Sequence, residues 1–396
     1  MINEKMTEKG RNSSVIRELF EFGMQRKAVL GEDKVFDFSI GNPSVPCPDE
    51  ITDSMTELLR DSDPVDLHGY TSAAGDMNTR KAVADYINSK YSLGVKPSNV
   101  YMTAGAAASL TIALKAAVCE GEEVIVFTPY FPEYKVFIEN SGAETVEVPV
   151  SRKNFQIDFN ALEKVFSHKT AAVIINSPNN PTGAVLTEET LKILGDFLRK
   201  KEKQYGREIY LISDEPYREL VYDGAESPFP AHYYDNTIIC YSYSKSLSMP
   251  GERIGYVMVS PKAESEKDLF DAICGSGRSL GYVCAPSFLQ KVVAKHQGLT
   301  SDISAYEEKR ALIYKMITDC GFETVKPEGA FYLFVKAPGG DGKEFSERAK
   351  KYEILIVPSD SFGMEGYVRI SYCVSRAQIE NSKPAFEALA QSYGLI

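Results

Sequence analysis

The chain has 396 residues, 43% of them hydrophobic and 25% charged, with a formal net charge of −11 at pH 7. This is ordinary soluble composition for two or three domains; the acidic balance argues against a nucleic-acid partner, and no apolar run nears the ~20 residues that span a bilayer. Seven cysteines without a C-x-x-C pair and four histidines without ligand spacing point away from a disulfide framework and from a metal site.

The opening stretch, MINEKMTEKGRNSSVIRELF, is polar and mixed in charge, unlike a signal peptide, so a cytoplasmic protein is expected. It reads as a helix, followed by KVFDFSIGNP, a short run with no partner nearby. The middle of the chain then alternates strand-like and helical runs. NVYMTAG leads into AAASLTIALKAAV, EEVIVFTPY into FPEYKVFIENSG, then come ETVEVPV and TAAVIINSP. After the helical TEETLKILGDFLRKKEKQYG follow EIYLISDEPY, NTIICYSYSK and RIGYVMVS. Short β-branched runs separated by helices predict an α/β domain with a mostly parallel, doubly wound sheet. The end of the chain differs: TVKPEGAFYLFVKAP, EILIVPSD and GYVRISYC read as a small antiparallel sheet closed by the helix SRAQIENSKPAFEALAQSY. The expected division is a large domain over 46–287 and a smaller α+β domain made from both termini, 1–45 and 288–396.

Open α/β sheets bind ligands beyond the carboxyl ends of their strands. Five strand ends carry groups of interest: Gly105, Ala106 and Ala107; Tyr130; the NNPTG turn with Asn180; Asp214 and Tyr217; and SYSKSLSMPGER, with Ser242, Lys245 and Arg253. Singly, each has an ordinary explanation. A Gly-Ala-Ala turn starts many helices, Asn-Pro-Gly is turn chemistry, and an aspartate after a strand caps helices. A tyrosine packs a wall, and a lysine reaches out to solvent. Together they describe one chemistry. A lysine flanked by apolar strands is costly as a bare cation and suited to a Schiff base with a carbonyl. An acid can hold a pyridine nitrogen protonated, and helix N–H groups, hydroxyls and an arginine can cradle a phosphate. The whole set fits pyridoxal 5′-phosphate.

The motifs NSPNNPTG, SDEPYREL and SYSKSLSMPGERIGY, in that order, resemble the class I/II aminotransferases of the fold-type I, aspartate-aminotransferase superfamily, over nearly the whole chain. The resemblance implies that Lys245 holds the cofactor covalently and shuttles the substrate Cα proton. Asp214 would pair with the ring nitrogen, Tyr217 and Asn180 with the ring oxygen, and Tyr130 would stack on the ring. Gly105, Ala106, Ala107, Ser242 and Arg253 would bind the phosphate, the alanines through backbone N–H alone. Ser244 offers another hydroxyl, set aside because neighbours on an extended segment face opposite sides and Ser242 matches the family position. Tyr70 would reach the phosphate of a neighbouring subunit, implying a homodimer with shared active sites. Arg369, helped by Gly41 and Asn180, would grip the substrate carboxylate, and the Asn180–Pro181 peptide would be cis.

The resemblance implies exchange of an amino group between an amino acid and a 2-oxo acid by a ping-pong route. Arg278, in GSGRSLGYVCAPS, would select an aspartate- or glutamate-type donor, although a dimer salt bridge or a solvated helix end is the more ordinary role for such an arginine. A C–S (β-) lyase or a cyclopropane-forming synthase would share every cofactor contact. A non-catalytic sensor on this fold would carry a basic DNA-binding segment, and 40 residues precede Gly41.

Overall fold

The computed structural model describes residues 2–11 and 15–396. The chain divides into two compact units: Val45–Asn179 with Ala184–Ile303, and the chain up to Ser44 with Asn180–Gly183 and Ser304–Ile396.

The larger unit is built on a seven-stranded sheet. Its strands lie in the order Val100–Thr103, Gly255–Val259, Thr237–Ser242, Tyr210–Asp214, Thr170–Asn176, Glu123–Thr128 and Glu144–Pro149. All pair in parallel except Gly255–Val259, which runs antiparallel to both neighbours. The connection into that strand contains only the one-turn helix Tyr243–Ser246, so no crossover helix carries the chain over the sheet. Strand Thr170–Asn176 is buried along its whole length, as a sheet covered on both faces requires. Strand alternation sorts side chains between the two covers. Val124, Val126, Ala172 and Ile174 pack in one cluster with Leu110 and Leu114 of the helix Ala106–Ala117. Ile125, Val173 and Ile175 pack in another with Leu191, Leu194 and Leu198 of the helix Glu188–Tyr205. That helix begins where Thr187 accepts a hydrogen bond from the Thr190 N–H at 3.1 Å.

The segment 288–303, expected in the smaller domain, belongs to the larger unit, and Asn180–Gly183 belongs to the smaller one. The reason is burial. Leu289, Val292 and Val293 of the helix Ser287–Lys295 pack in one cluster with Val83 and Ile87 of the helix Met77–Tyr91. No change of composition marks this boundary in the sequence.

In the smaller unit Val357–Pro358, Tyr367–Ser371 and Tyr332–Lys336 form an antiparallel sheet in that order. The run EILIVPSD is shared between two sheets, because Ile354–Leu355 pairs in parallel with Phe36–Asp37. The early strand thus finds its partner more than three hundred positions away. Phe38 meets Phe386 of the closing helix Arg376–Gln391, ring centroids 5.8 Å apart.

Candidate active site

Thr103, Thr128, Asn176, Asp214 and Ser242 are each the last residue of their strand in the larger unit. They bring polar groups to the carboxyl edge of the sheet. Asp214 is only 5% exposed. Burial pushes its carboxyl up to about 7; the Tyr134 hydroxyl opposes the shift and the nearby Glu215 charge adds to it. Tyr134 donates to Oδ2 of Asp214, while Oδ1 is buried with no hydrogen-bond partner among the described residues. The Asn176 side-chain amide donates to the Asp214 carbonyl at 2.8 Å, fixing the backbone beneath the carboxylate.

Tyr134 lies in the first turn of the helix Glu133–Ser141, four residues beyond Tyr130. The two rings stack, 12° apart in plane with centroids 6.4 Å apart, and Phe131 meets Tyr134 edge-on. The Tyr130 hydroxyl donates to Glu147 at 2.7 Å.

Beyond Asp214 the chain turns around a buried ion pair. Arg218 donates to Glu215, both side chains 2% exposed, and also to the Tyr256 hydroxyl at 3.0 Å. The guanidinium lies over the rings of Tyr241 and Phe229, 4.6 Å and 5.1 Å from their centroids. Glu215 also accepts from Ser213 at 2.8 Å. A carboxylate this deep is costly without such partners, and this one anchors the turn that carries the buried Tyr217.

Lys245 is half-buried in the one-turn helix Tyr243–Ser246. That helix corrects the expectation of an extended segment. The Ser242 and Ser244 hydroxyls lie 2.7 Å apart, and Ser242 also accepts from the Ser244 N–H. It is Ser244 that Arg253 reaches, at 3.1 Å. Arg253 further donates to the carbonyls of Pro250, at 2.9 Å, and Ala104, at 3.3 Å. Gly105, at φ +84° and ψ 176°, precedes the helix Ala106–Ala117, and a Cβ there would lie 2.5 Å from the Arg253 guanidinium. The first N–H groups of that helix have no partner within it. They share this corner with two hydroxyls and a guanidinium, an array suited to a phosphate.

In the smaller unit Arg369 is 2% exposed. It donates to the Asn180 side-chain oxygen at 3.0 Å and to the Ser39 carbonyl, and its Nε is buried without a partner among the described residues. Its guanidinium lies over Tyr332, 4.6 Å from the centroid, and over Phe362 at 5.1 Å. A Cβ at Gly41 would overlap the Tyr332 hydroxyl. Among the described residues no carboxylate pairs with Arg369, so a buried cation is held by neutral groups alone. The Asn180–Pro181 peptide is cis, as are Thr128–Pro129 and Ser177–Pro178.

Residues 33–383 match the sequence family described as aminotransferase class I and II. The chain belongs to that family. It is 31% identical to aromatic-amino-acid aminotransferase 2 of Thermococcus litoralis over 97% of each chain. It is 33% identical to an aspartate aminotransferase of Pyrococcus horikoshii over 92% of each. A crystal structure of an aminotransferase from Eubacterium rectale is similar at a TM-score of 0.98 and 53% identity, covering 100% of this chain and 99% of that one. The Thermotoga maritima aspartate aminotransferase follows at 0.86 and 29%, covering 98% and 99%. The mostly parallel central sheet with its helices is the fold of these aminotransferases.

Two of the residues expected to serve this aminotransferase's site are exposed on the chain. Tyr70 is 98% exposed, and Arg278 is exposed in the last turn of the helix Glu266–Leu280. Conversely, Tyr134, which sequence reasoning misses, donates to Asp214, and Ser244, set aside in favour of Ser242, is the serine that accepts from Arg253. The signal for Tyr134 was its place four residues after Tyr130, just past Pro132, where a helix starts. For Ser244 the signal was the serine at its own helix start: Ser242, as N-cap, begins a turn that folds the next hydroxyl back on it.

Proposed function

We propose that the protein is a pyridoxal 5′-phosphate-dependent transaminase that moves an amino group between an L-amino acid of aspartate or glutamate type and a 2-oxo acid by a ping-pong route. The observation that carries the cofactor reading is the orphaned Oδ1 of Asp214. A buried carboxylate oxygen without a donor fits a protonated pyridine nitrogen, and the array at Gly105, Ser244 and Arg253 fits the phosphate of the same molecule. When bound, this cofactor supplies an aldehyde carbon conjugated to an electron-withdrawing ring.

The residues do the rest. Asp214 as an anion holds the ring nitrogen protonated. Ala106 and Ala107 present backbone N–H groups to the phosphate, with Ser242, Ser244 and Arg253 as side-chain donors. Tyr217 and Asn180 would donate to the ring oxygen, and Tyr130 offers an aromatic face for the ring. Lys245 supplies an amine suited to an aldehyde, and the same Nζ takes and returns the proton at substrate Cα. Arg369 takes the α-carboxylate: among the described residues only Asn180 and Ser39 accept from its five N–H donors, and a carboxylate accepts two in parallel. The Gly41 amide assists it. Arg278 supplies the cation for a second carboxylate.

The full exposure of Tyr70 supports a homodimer in which it serves the neighbouring subunit's phosphate. Seven free thiols fit a reducing compartment such as the cytoplasm.

The deciding experiment mixes the purified holoenzyme with L-aspartate, with and without 2-oxoglutarate. The oxo acid of the donor should accumulate only with the acceptor present, in equal amount to new glutamate. Ammonia and oxo acid released without an acceptor would overturn the transaminase in favour of a lyase. Lys245→Ala should abolish both turnover and the lysine-linked absorbance band.

A further inference from the structure

Arg369 has a second layer of support that begins in the N-terminal helix. Its Nη2 group donates to the carbonyl of Ser39, and the same serine is bound through its N–H and its hydroxyl by the residue two positions earlier. Asp37, 6% exposed, accepts through a single oxygen, Oδ1, from both the Ser39 N–H at 3.0 Å and the Ser39 hydroxyl at 2.6 Å. An aspartate that binds the N–H two residues on closes a local turn and fixes the Phe38–Ser39 peptide, so the serine whose carbonyl meets Arg369 is held on two sides, at its N–H and at its hydroxyl. The other oxygen, Oδ2, faces the helix Val15–Leu30. Lys27 approaches it at 3.9 Å, and at Gly23 a Cβ would come within 3.0 Å of it. Glycine is therefore what lets the helix close over the carboxylate. The Asp37 carbonyl is held in turn by the Gln378 side-chain amide at 2.8 Å.

We propose that Asp37 is a positioning residue for carboxylate binding: it orients the Ser39 carbonyl that holds one arm of Arg369, and so sets the direction of the N–H groups left for a ligand. The inference rests on the reading of Arg369 as the carboxylate grip. A guanidinium binds a carboxylate bidentately only when the planes of the two groups are aligned, so a tilt of the fork weakens binding more than it slows chemistry. The charge on Asp37 is not spent on Arg369 directly. Serine relays orientation between them, which leaves the full positive charge of Arg369 for the ligand.

The test uses the holoenzyme with L-aspartate, 2-oxoglutarate and the unreactive dicarboxylate succinate. Asp37→Ala removes the acceptor for both Ser39 bonds. It should raise both KM values and the succinate dissociation constant about tenfold, with kcat within about threefold and the cofactor absorbance unchanged. Asp37→Asn keeps an oxygen acceptor and should restore binding to within about threefold of the parent. Should Asp37→Ala fail to fold, Ser39→Ala decides, since it keeps the carbonyl but loses the hydroxyl bond, with a rise of about threefold expected. Succinate binding unchanged in the variant that folds, or a fall in kcat with KM unmoved, would overturn the proposal. Arg369→Lys separates the two ideas: if it leaves succinate binding intact, the carboxylate grip itself is misassigned, whatever Asp37 does.

Discussion

Tyr134 donates its phenolic hydrogen to one oxygen of the Asp214 carboxylate and leaves the other buried and, among the described residues, unpaired. The two oxygens differ: one is held by Tyr134, and the other has no donor among the described residues. The hydroxyl also favours the ionised form of a carboxyl that burial has pushed up to about 7. Tyr134→Phe removes that support without changing the ring packing against Tyr130 and Phe131. A hydrogen bond to a charged group contributes about 1.5–3 kcal/mol, and each pH unit corresponds to about 1.4. The protonated carboxyl gains ground in the variant, so the acidic limb of the kcat/KM profile should move up by about one to two pH units. A limb that stays in place would show that Tyr134 only packs.

Asp214 also makes the cofactor-free protein sensitive to pH in an unusual direction. The unfolded carboxyl releases its proton near 4, whereas the folded one keeps it up to about 7. Between those values the folded state binds more protons than the unfolded state, so this group's contribution to stability falls as pH rises and levels off above 7. The total is on the order of a few kcal/mol. Asp214→Asn removes the effect. Thermal unfolding of the cofactor-free parent and variant from pH 4 to 8 should therefore show the parent losing ground to the variant as pH rises. Parallel profiles would refute the shift.

Gly105 tests the anion corner. Its φ and ψ, +84° and 176°, lie in a region almost closed to side chains, and its missing Cβ leaves the space that the Arg253 guanidinium fills. Gly105→Ala should cost about 1–3 kcal/mol of stability from backbone strain alone. Displacing Arg253 adds a functional loss, so the dissociation constant of pyridoxal 5′-phosphate should rise about tenfold or more, one charged hydrogen bond's worth. Equilibrium dialysis measures this separately from the melting temperature. Lower stability with cofactor affinity intact would leave Gly105 a purely structural residue.

The larger unit was legible from sequence because its strands and helices are local patterns: β-branched runs ending in polar residues, separated by amphipathic helices. Lys245, Asp214 and Asn180 stand in motifs whose order alone carries meaning. What stayed hidden depends on contacts distant in sequence. Nothing in FDF announces that Phe36–Asp37 pairs with Ile354–Leu355, or that Asp37 supports Arg369 through Ser39. Residues 288–295 read as part of the smaller domain because an apolar face such as Leu289, Val292 and Val293 does not say which core will cover it; it packs with Val83 and Ile87. Ser244 reads as facing away because its segment looks extended, and a one-turn helix is too short to show a period that would correct this.

Arg278 is the remaining test of donor choice. As an exposed cation in the last turn of the helix Glu266–Leu280, it has a sufficient structural role in complementing the helix dipole, typically 0.3–1 kcal/mol. That role predicts a slightly lower melting temperature for Arg278→Ala and no change in substrate preference. A cation that meets a second carboxylate predicts the reverse pattern. The variant should lose about tenfold to a hundredfold in kcat/KM for L-aspartate, the worth of a charged contact, while kcat/KM for L-alanine stays put. The ratio of the two constants therefore decides, because any general damage to folding or cofactor binding lowers both together. An unchanged ratio assigns Arg278 to the helix end and moves the choice of donor to other residues.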